Sequence, residues 1–164
     1  MNEMIKLFVM DVDGTLTDGK IYMGNNGEVM KAFSVKDGYG IHDELIPAGI
    51  LPVIITCRKS AIVDNRCREL GITELFQGVK DKVNQLQQLV KEKGISLKEV
   101  AYIGDDLNDF AVMQIIKENG GLIGCPSGAV QKVKEIADCV CITEGGEGAV
   151  REFIEWIIDS QQLR

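Results

Sequence analysis

Two carboxylates separated by a single residue follow an apolar run near the start of the chain. The run Leu7–Met10 leads directly into Asp11 and Asp13, and side chains two positions apart on an extended chain point to the same side. Like charges this close are unfavourable unless a cation or a shared proton relieves the repulsion. Gly14 comes next and permits a sharp turn. The spacing therefore predicts an acidic pair that meets a cation at the end of a strand.

A second group of acids follows another apolar run. Val100–Ile103 is followed by Gly104 and then by Asp105, Asp106 and Asp109. If both runs are strands of one parallel sheet, their acids gather at the same edge, and this concentration of charge is costly without a divalent metal. Carboxylate oxygens with no His or Cys nearby favour Mg²⁺ over zinc.

Two further apolar runs end in groups that bind anions. Thr56 follows Leu51–Ile55 and offers a hydroxyl and a backbone N–H at the predicted start of a helix, and Lys82 offers an ammonium group at the next helix start after Glu74–Phe76. A carboxylate nucleophile, a metal, a hydroxyl and a lysine are the groups that phosphoryl transfer through an aspartyl-phosphate requires. Each is common alone, but all four at successive run ends favour this chemistry.

The elements that must position these groups alternate between short apolar runs and helical patterns. This alternation predicts an α/β fold, a three-layer Rossmann-like parallel sheet with helices on both faces. Ligands of such sheets bind beyond the carboxyl ends of the strands, where all four groups lie. The predicted strands are Leu7–Met10, Leu51–Ile55, Glu74–Phe76, Val100–Ile103, Gly121–Ile123 and Cys139–Ile142, and the predicted helices cover 37–48, 59–70, 81–93, 108–119, 129–136 and 148–161.

One segment breaks the alternation. Residues 20–33 contain two short strand-like stretches around the turn Gly24–Gly27, which predicts a small projecting β-hairpin. A two-stranded hairpin is marginally stable alone. We therefore expect it to pack against another subunit, with a solvent-exposed flap as the alternative. The whole chain, residues 1–164, is predicted to form a single domain.

Composition narrows the range of functions. The 164 residues are 45% hydrophobic and 26% charged, as in ordinary globular proteins, and the net charge of −7 without a basic cluster disfavours nucleic-acid binding. No apolar run approaches the roughly 18 residues of a membrane span, and the first residues lack a secretory signal, so we expect a cytoplasmic protein with no membrane partner. The single histidine, His42, nearly excludes a His-dependent triad. The five cysteines lack CxxC spacing and are expected to be buried, reduced thiols.

As a set, the motifs resemble those of the haloacid dehalogenase-like hydrolases. The matching segments are Asp11–Thr17 (DVDGTLT), Thr56, Lys82 and Gly104–Asp109 (GDDLND). Asp13 marks the phosphatase version of the first motif, and the short spacing to Thr56 leaves no room for a cap domain beyond the hairpin. With the hairpin and the segment Gly145–Glu152 (GGEGAVRE), the chain is similar to the capless 3-deoxy-D-manno-octulosonate 8-phosphate phosphatases. That family consists of Mg²⁺-dependent homotetramers that act on a small sugar-acid phosphate in lipopolysaccharide precursor synthesis.

The resemblance implies a role for each matching residue. Asp11 is the nucleophile and a metal ligand. Asp13 protonates the leaving sugar oxygen and then activates water, while its main-chain carbonyl binds the metal. Asp105 completes the protein ligands of the ion, and the phosphoryl oxygens are held by Thr56 and Lys82.

The resemblance also implies supporting and substrate-binding residues. Asp106 and Asp109 are expected to orient metal-bound water or Lys82. Arginine suits a sugar acid because its guanidinium binds a carboxylate with two hydrogen bonds, and a spacing of eight on the predicted helix places two arginines on nearly the same face. The substrate contacts implied are Asp13, Ser34, Asp37, Gly38, Arg58 and Arg66.

Two positions depart from the family pattern. Cys57 stands where the family usually has Gly, and Glu147 stands where the octulosonate phosphatases are expected to have Arg. Arg58 favours the octulosonate, because the nonulosonate phosphatases carry Glu there. One alternative is a nonulosonate (sialic acid-type) 9-phosphate phosphatase. Another is a non-catalytic tetramerisation module, but the intact acids disfavour this second alternative. A phosphoacceptor receiver domain would carry its acidic pair before the acceptor strand, unlike this chain.

Overall fold

A computed structural model describes residues 4–161 of the chain. Its main sheet consists of the strands β1 (Leu7–Met10), β4 (Leu51–Ile55), β5 (Glu74–Phe76), β6 (Val100–Ile103), β7 (Leu122–Cys125) and β8 (Cys139–Val140). All neighbours pair in parallel, in the order β5-β4-β1-β6-β7-β8. The strands β2 (Tyr22–Gly24) and β3 (Gly27–Met30) form a separate antiparallel hairpin.

Helices connect the parallel strands. They are α1 (Val35–Tyr39), α2 (Ala61–Leu70), α3 (Lys82–Lys93), α4 (Leu107–Glu118), α5 (Gln131–Ile136) and α6 (Ala149–Ser160), with a π-helical turn over Gly40–Leu45 and a 3₁₀ turn over Leu97–Glu99. Within residues 4–161, none of the helices has the length and apolar character that crossing a membrane requires.

The alternation of side chains along β1 creates the three layers. Leu7 and Val9 face a cluster that includes α3, α4 and α5, whereas Phe8 and Met10 face a cluster that includes α2 and α6. All four side chains are fully buried. Because both faces of the strand are covered, its sequence is continuously apolar, as expected of a central parallel strand. The predicted α/β sheet with helices on both faces is confirmed.

The predicted helix over 37–48 is wrong in form. The structure replaces it with the short α1 and the π-helical turn, and Gly40 lies at their junction. A Cβ at Gly40 would lie 2.8 Å from Arg151 Cδ, so the glycine lets this segment pack tightly on α6. The last strand is also shorter than predicted, because the backbone N–H groups of Ile142 and Thr143 donate to the carboxylate of Glu152 at 2.8 and 3.0 Å.

Between β1 and β4, the described chain forms the hairpin, α1 and the π-helical turn. No cap domain occurs in this described stretch. It exposes Met23, Val29 and Met30 by 63%, 61% and 52%. Exposed apolar side chains clustered on one small element are unusual for a surface that stays in water.

Candidate active site

The carboxyl ends of β1, β4 and β6 meet because these strands are neighbours. Met10 is in register with Ile54 and Ile103, and the backbone N–H of Asp11 donates to the carbonyl of Ile103 at 3.2 Å. A cavity of about 350 Å³ opens at this edge. Its lining consists of Asp11, Asp13, Gly19, Thr56, Cys57, Arg58, Asp105, Asp106 and Asn108. The structure thus brings together the predicted groups that follow β1, β4 and β6. Lys82, which follows β5, does not line the cavity but lies beneath Asp11.

Two carboxylates that line this cavity, Asp11 and Asp105, lie close to a third, Asp109, which is buried beneath it. Asp11, Asp105 and Asp109 each offer an oxygen, and these oxygens lie within 4.8 Å of one another. Burial, with the charge of Asp109 adding to it, raises the pKa of both Asp11 and Asp105 to about 7. A divalent cation would relieve this repulsion, and an all-oxygen donor set suits Mg²⁺. The residues present therefore fit the predicted magnesium ion.

Lys82 and Asp109 form a buried ion pair beneath Asp11. The Lys82 ammonium lies 3.0 Å from Asp11 Oδ1 and 2.8 Å from Asp109 Oδ1. Burial opposes its charged form, but the two carboxylates outweigh this effect and raise the pKa of Lys82. Asp109 Oδ1 also accepts from the hydroxyl of Tyr102 at 2.6 Å, and its Oδ2 accepts from the backbone N–H of Asp105 at 3.0 Å. Both oxygens of Asp109 are thus engaged, which favours orienting Lys82 over binding an ion.

The turn after β1 is pressed between two other loops. Gly14 has a φ of +89°, and a Cβ there would lie 2.0 Å from Asp105 Oδ2. The hydroxyl of Thr15 donates to Asp105 Oδ1 at 3.1 Å and so holds that carboxylate. From the other side, a Cβ at Gly145 would lie 2.1 Å from the carbonyl oxygen of Gly14, and the N–H of Gly146 donates to Thr15 O at 3.3 Å. Glycine at these positions allows the loops to meet.

The hairpin reaches into the site through charged side chains. Lys31, just after β3, lies 2.6 Å from Asp13 Oδ1 and 2.7 Å from Glu28 Oε1. Arg58 Nε lies 3.9 Å from Asp13 Oδ2. Lys31 and Glu28 could not be predicted from the sequence, because only the docking of the hairpin places them here. Tyr102 was also missed, although a phenol within a buried apolar strand signals a hydrogen-bond partner.

Asp106 and Cys57, at the rim of the cavity, each have a hydrogen-bond partner nearby. Asp106 caps α4 and accepts from the backbone N–H of Leu107 at 2.7 Å. Cys57 is exposed and Cys139 is half-buried, which corrects our expectation that all five cysteines are buried. The sulfur of Cys57 accepts from Asn108 Nδ2 at 3.4 Å. Glu147 is exposed and does not line the cavity.

Four of the predicted substrate contacts do not line this cavity. They instead surround a separate apolar cavity of about 10 Å³, which is barely the space of one water: Ser34, Asp37, Gly38 and Arg66. Asp37 is 2% exposed and accepts from the backbone N–H of Arg151 at the start of α6, 2.9 Å away. Arg66 donates to the carbonyl of Ser34 and pairs with Glu69 at 2.8 Å.

The two predicted arginine contacts therefore occupy different places. The helix α2 begins at Ala61, so Arg58 precedes it and the spacing of eight does not align the two side chains. Arg58 lines the main cavity and Arg66 lines the small one.

Comparison with known proteins agrees with the geometry. The family model described as haloacid dehalogenase-like hydrolase matches residues 68–154. The chain is 45% identical to 3-deoxy-D-manno-octulosonate 8-phosphate phosphatase KdsC of Escherichia coli over 159 residues, which cover 97% of this chain and 82% of the relative. The phosphatase of the same name from Yersinia pestis is 43% identical over 157 residues, covering 96% of this chain and 81% of that protein.

A solved structure shares the whole fold. The 3-deoxy-D-manno-octulosonate 8-phosphate phosphatase of Moraxella catarrhalis, crystallised with magnesium ion, phosphate ion and KDO, superposes with a TM-score of 0.89 at 42% identity. The match covers 96% of this chain and 88% of that one. With the acids, lysine and threonine of the family at the expected sheet edge, the chain is a phosphatase that belongs to the haloacid dehalogenase-like hydrolases, in the family of the 3-deoxy-D-manno-octulosonate 8-phosphate phosphatases.

Proposed function

We propose that this phosphatase hydrolyses 3-deoxy-D-manno-octulosonate 8-phosphate to the free sugar acid and phosphate, with Asp11 as the nucleophile and Mg²⁺ as the cofactor. The observation that carries the proposal is the position of Asp11. Its carboxylate lies at the floor of the cavity, with Lys82 3.0 Å from Oδ1 and Asp105 close beside it. The relatives that match nearly the full chain are named for this substrate.

The chain's own groups supply the ligands of the ion. The carboxylates of Asp11 and Asp105 and the main-chain carbonyl of Asp13 would hold it. When bound, Mg²⁺ neutralises part of the carboxylate charge and so lets a phosphate dianion approach. The relative from Moraxella catarrhalis was crystallised with magnesium ion, which supports this assignment.

Hydrolysis proceeds in two displacements at phosphorus. Asp11 attacks the phosphorus atom, the bond to the sugar oxygen breaks, and that oxygen takes a proton from Asp13. A water molecule then gives a proton to Asp13 and attacks the phosphorus of phospho-Asp11, which releases phosphate and restores the carboxylate. Thr56 and Lys82 hold the phosphoryl oxygens as the transferring group flattens, when their charge and hydrogen bonds count most.

Recognition of the sugar acid falls to Arg58. Arg58 lines the cavity with 46% of its side chain exposed and can pair with the substrate carboxylate. Purified chain with Mg²⁺ should release phosphate from 3-deoxy-D-manno-octulosonate 8-phosphate at a higher kcat/KM than from a nonulosonate 9-phosphate. The Asp11→Asn variant serves as the blank for both. A reversed preference would reject the octulosonate and select the nonulosonate alternative.

We also propose that the chain acts as a cytoplasmic homotetramer assembled through its hairpins. The support is the exposure of Met23, Val29 and Met30 on an element that cannot form a core of its own. Light scattering at micromolar concentration should give four times the 18.0 kDa chain mass. Replacing Met23 and Val29 together by Lys should dissociate the assembly, whereas a wild-type chain that stays monomeric would refute it.

A further inference from the structure

Lys31 is a charged side chain that the hairpin buries against the site. Only 1% of its side chain is exposed, although it carries an ammonium group. Two carboxylates compensate that charge: Asp13 Oδ1 at 2.6 Å and Glu28 Oε1 at 2.7 Å. A buried lysine is stable only when it is paired in this way. The hairpin and the acid of the first motif are therefore joined by one ion-pair network.

A second contact fixes this network to the body of the fold. Glu28 Oε2 accepts from the hydroxyl of Ser60 at 2.7 Å, and Ser60 lies immediately before α2. Its own backbone N–H donates to Gln77 Oε1 at 2.8 Å, after β5. Glu28 thus holds Lys31 from one side, Ser60 in the loop after β4 holds Glu28, and Gln77 after β5 in turn holds Ser60. The ammonium has little freedom to leave Asp13.

The chemistry of lysine decides which oxygen of Asp13 can work. An ammonium group donates hydrogen bonds and accepts none, so Asp13 Oδ1, which faces Lys31, cannot carry a proton toward it. Arg58 Nε lies 3.9 Å from Oδ2, beyond hydrogen-bond distance. Oδ2 is therefore the oxygen left to carry a proton and exchange it with a reacting group.

We propose that Lys31 is a positioning residue that aims Asp13, so that Oδ2 passes its proton to the leaving oxygen. The proposal rests on the proton-transfer role given to Asp13 in the proposed function. As the bond between phosphorus and the leaving oxygen breaks, the proton moves from Oδ2 to that oxygen and Asp13 becomes a carboxylate again. Lys31 exchanges no proton in this step and touches neither phosphorus nor the leaving group.

The test uses leaving groups that differ in their need for a proton. A sugar alkoxide needs one to depart, whereas p-nitrophenolate does not. The full-length chain with saturating Mg²⁺ is assayed on 3-deoxy-D-manno-octulosonate 8-phosphate and on p-nitrophenyl phosphate. We expect Lys31→Met to lower kcat/KM about 10- to 100-fold on the sugar phosphate and less than about 3-fold on the aryl phosphate, because general acid catalysis contributes about 10²–10⁴-fold.

Three variants make the result specific. Lys31→Arg keeps the donor and should restore most of the sugar-phosphate rate. Glu28→Gln removes the charge that holds Lys31 and should give a smaller loss with the same selectivity, which also serves if Lys31→Met unfolds. Lys20→Met is the matched control, because Lys20 lies in the same segment with 75% of its side chain exposed. It should change neither substrate's rate.

The outcomes separate the two proposals. Equal loss on both substrates in Lys31→Met and Glu28→Gln would reduce Lys31 to a structural role and overturn the inference. In Asp13→Asn, kcat/KM, which reports only the steps up to departure of the leaving group, should again fall far more on the sugar phosphate than on the aryl phosphate. If Asp13→Asn lowers kcat/KM equally on both substrates, the transfer of a proton from Asp13 to the leaving oxygen fails, whatever Lys31 does. If Asp13→Asn is selective and Lys31→Met is not, only the inference fails.

Discussion

The cavity has two sides that are built differently. Beneath Asp11, the side chains of Lys82, Asp109 and Tyr102 are at most 3% exposed and bond to one another. At the rim, Arg58 is 46% exposed and stands 3.9 Å from the nearest carboxylate oxygen. Every oxygen of Asp109 has a donor, whereas the guanidinium at the rim is free to move toward a ligand. Under the proposed function, the preorganised side would hold the phosphate and the adjustable side would hold the sugar.

This difference matters because the two ends meet different demands. Charge develops on the transferring phosphoryl group, and fixed groups stabilise it without reorganising. The sugar only has to be recognised, and a mobile arginine can do this at a small cost in stability. Substitutions on the rigid side should therefore cost stability as well as activity, whereas substitution of Arg58 at the rim should affect only substrate binding.

The largest effect is expected at Asp11. Asp11→Asn keeps the size of the side chain but removes the nucleophile, and loss of a nucleophile lowers kcat by several orders of magnitude in other enzymes, here on the order of 10⁴-fold or more. Phosphate release with Mg²⁺ measures it, and the thermal unfolding transition confirms that the variant is folded. Wild-type turnover in this variant would remove Asp11 from the mechanism.

The next effect tests the rigid side through stability. Asp109→Ala leaves the buried Lys82 with Asp11 as its remaining carboxylate and frees the Tyr102 hydroxyl, and breaking a buried ion pair costs about 3–5 kcal/mol. Urea unfolding should show this loss of stability, and a phosphate-release assay should show a large fall in kcat. Asp106→Ala is the matched control, since that carboxylate is exposed and loses only a cap, worth about 1 kcal/mol. Equal losses in the two variants would contradict the division into two sides.

Metal binding should appear as a pH-dependent gain in stability. The pKa values of Asp11 and Asp105 are raised to about 7 from 3.8, so the folded metal-free chain binds protons more tightly than the unfolded chain between these values. Its stability should therefore fall as pH rises from 5 to 7 and then level off. Asp37, with its pKa raised to about 6 by burial, acts in the same direction.

Magnesium should reverse that fall. An ion that binds only the folded chain adds about 2.7 kcal/mol at 100 times its Kd, and the gain should be greater at pH 8 than at pH 5.5, where protons compete. Thermal unfolding in EDTA and in Mg²⁺ at both values measures it. Asp105→Asn should weaken both the pH slope and the gain. A gain that is independent of pH would place the ion elsewhere.

The smallest effect is expected at the adjustable side. Arg58→Met should raise KM for the sugar phosphate about 10-fold, because a hydrogen bond between charged groups contributes about 1.5–3 kcal/mol. Stability should change by less than about 0.5 kcal/mol, as for other exposed positions. Hydrolysis of p-nitrophenyl phosphate, which has no carboxylate, provides the control. A matching KM increase on that substrate would show that Arg58 binds phosphate instead.

The layers of the fold could be predicted from the sequence because each has a local signal. The continuously apolar β1 lies where its pattern places it, and so does α6, whose buried Phe153, Ile154 and Ile157 have the spacing of one helix face. The form of the segment around Gly40 could not be predicted, since its π-helical turn depends on close packing against Arg151. The short β8 has the same kind of cause, because Glu152 takes the N–H groups that would continue the strand.

The carboxyl edge could likewise be predicted, because topology alone gathers groups at strand ends. Asp11, Thr56 and Asp105 needed only the order of the strands to meet. Contacts that depend on how a loop docks could not be predicted from the sequence. The resemblance placed Asp37 near the substrate, whereas the structure has it cap α6. Lys31 reaches Asp13 only because the hairpin folds back over the site.

The packing of Gly145 against Gly14, and of Gly14 against Asp105, limits how the enzyme can open. Residues from the beginning, the middle and the end of the chain are stacked without room for a single extra carbon atom, so this wall of the site must travel as one piece or stay still. Passage of the proposed substrate then falls to the hairpin, whose side chains Glu28 and Lys31 contact Ser60 and Asp13 and would have to release them for the site to open. The moving part of this small enzyme is expected to be the element that its neighbours in an assembly would touch.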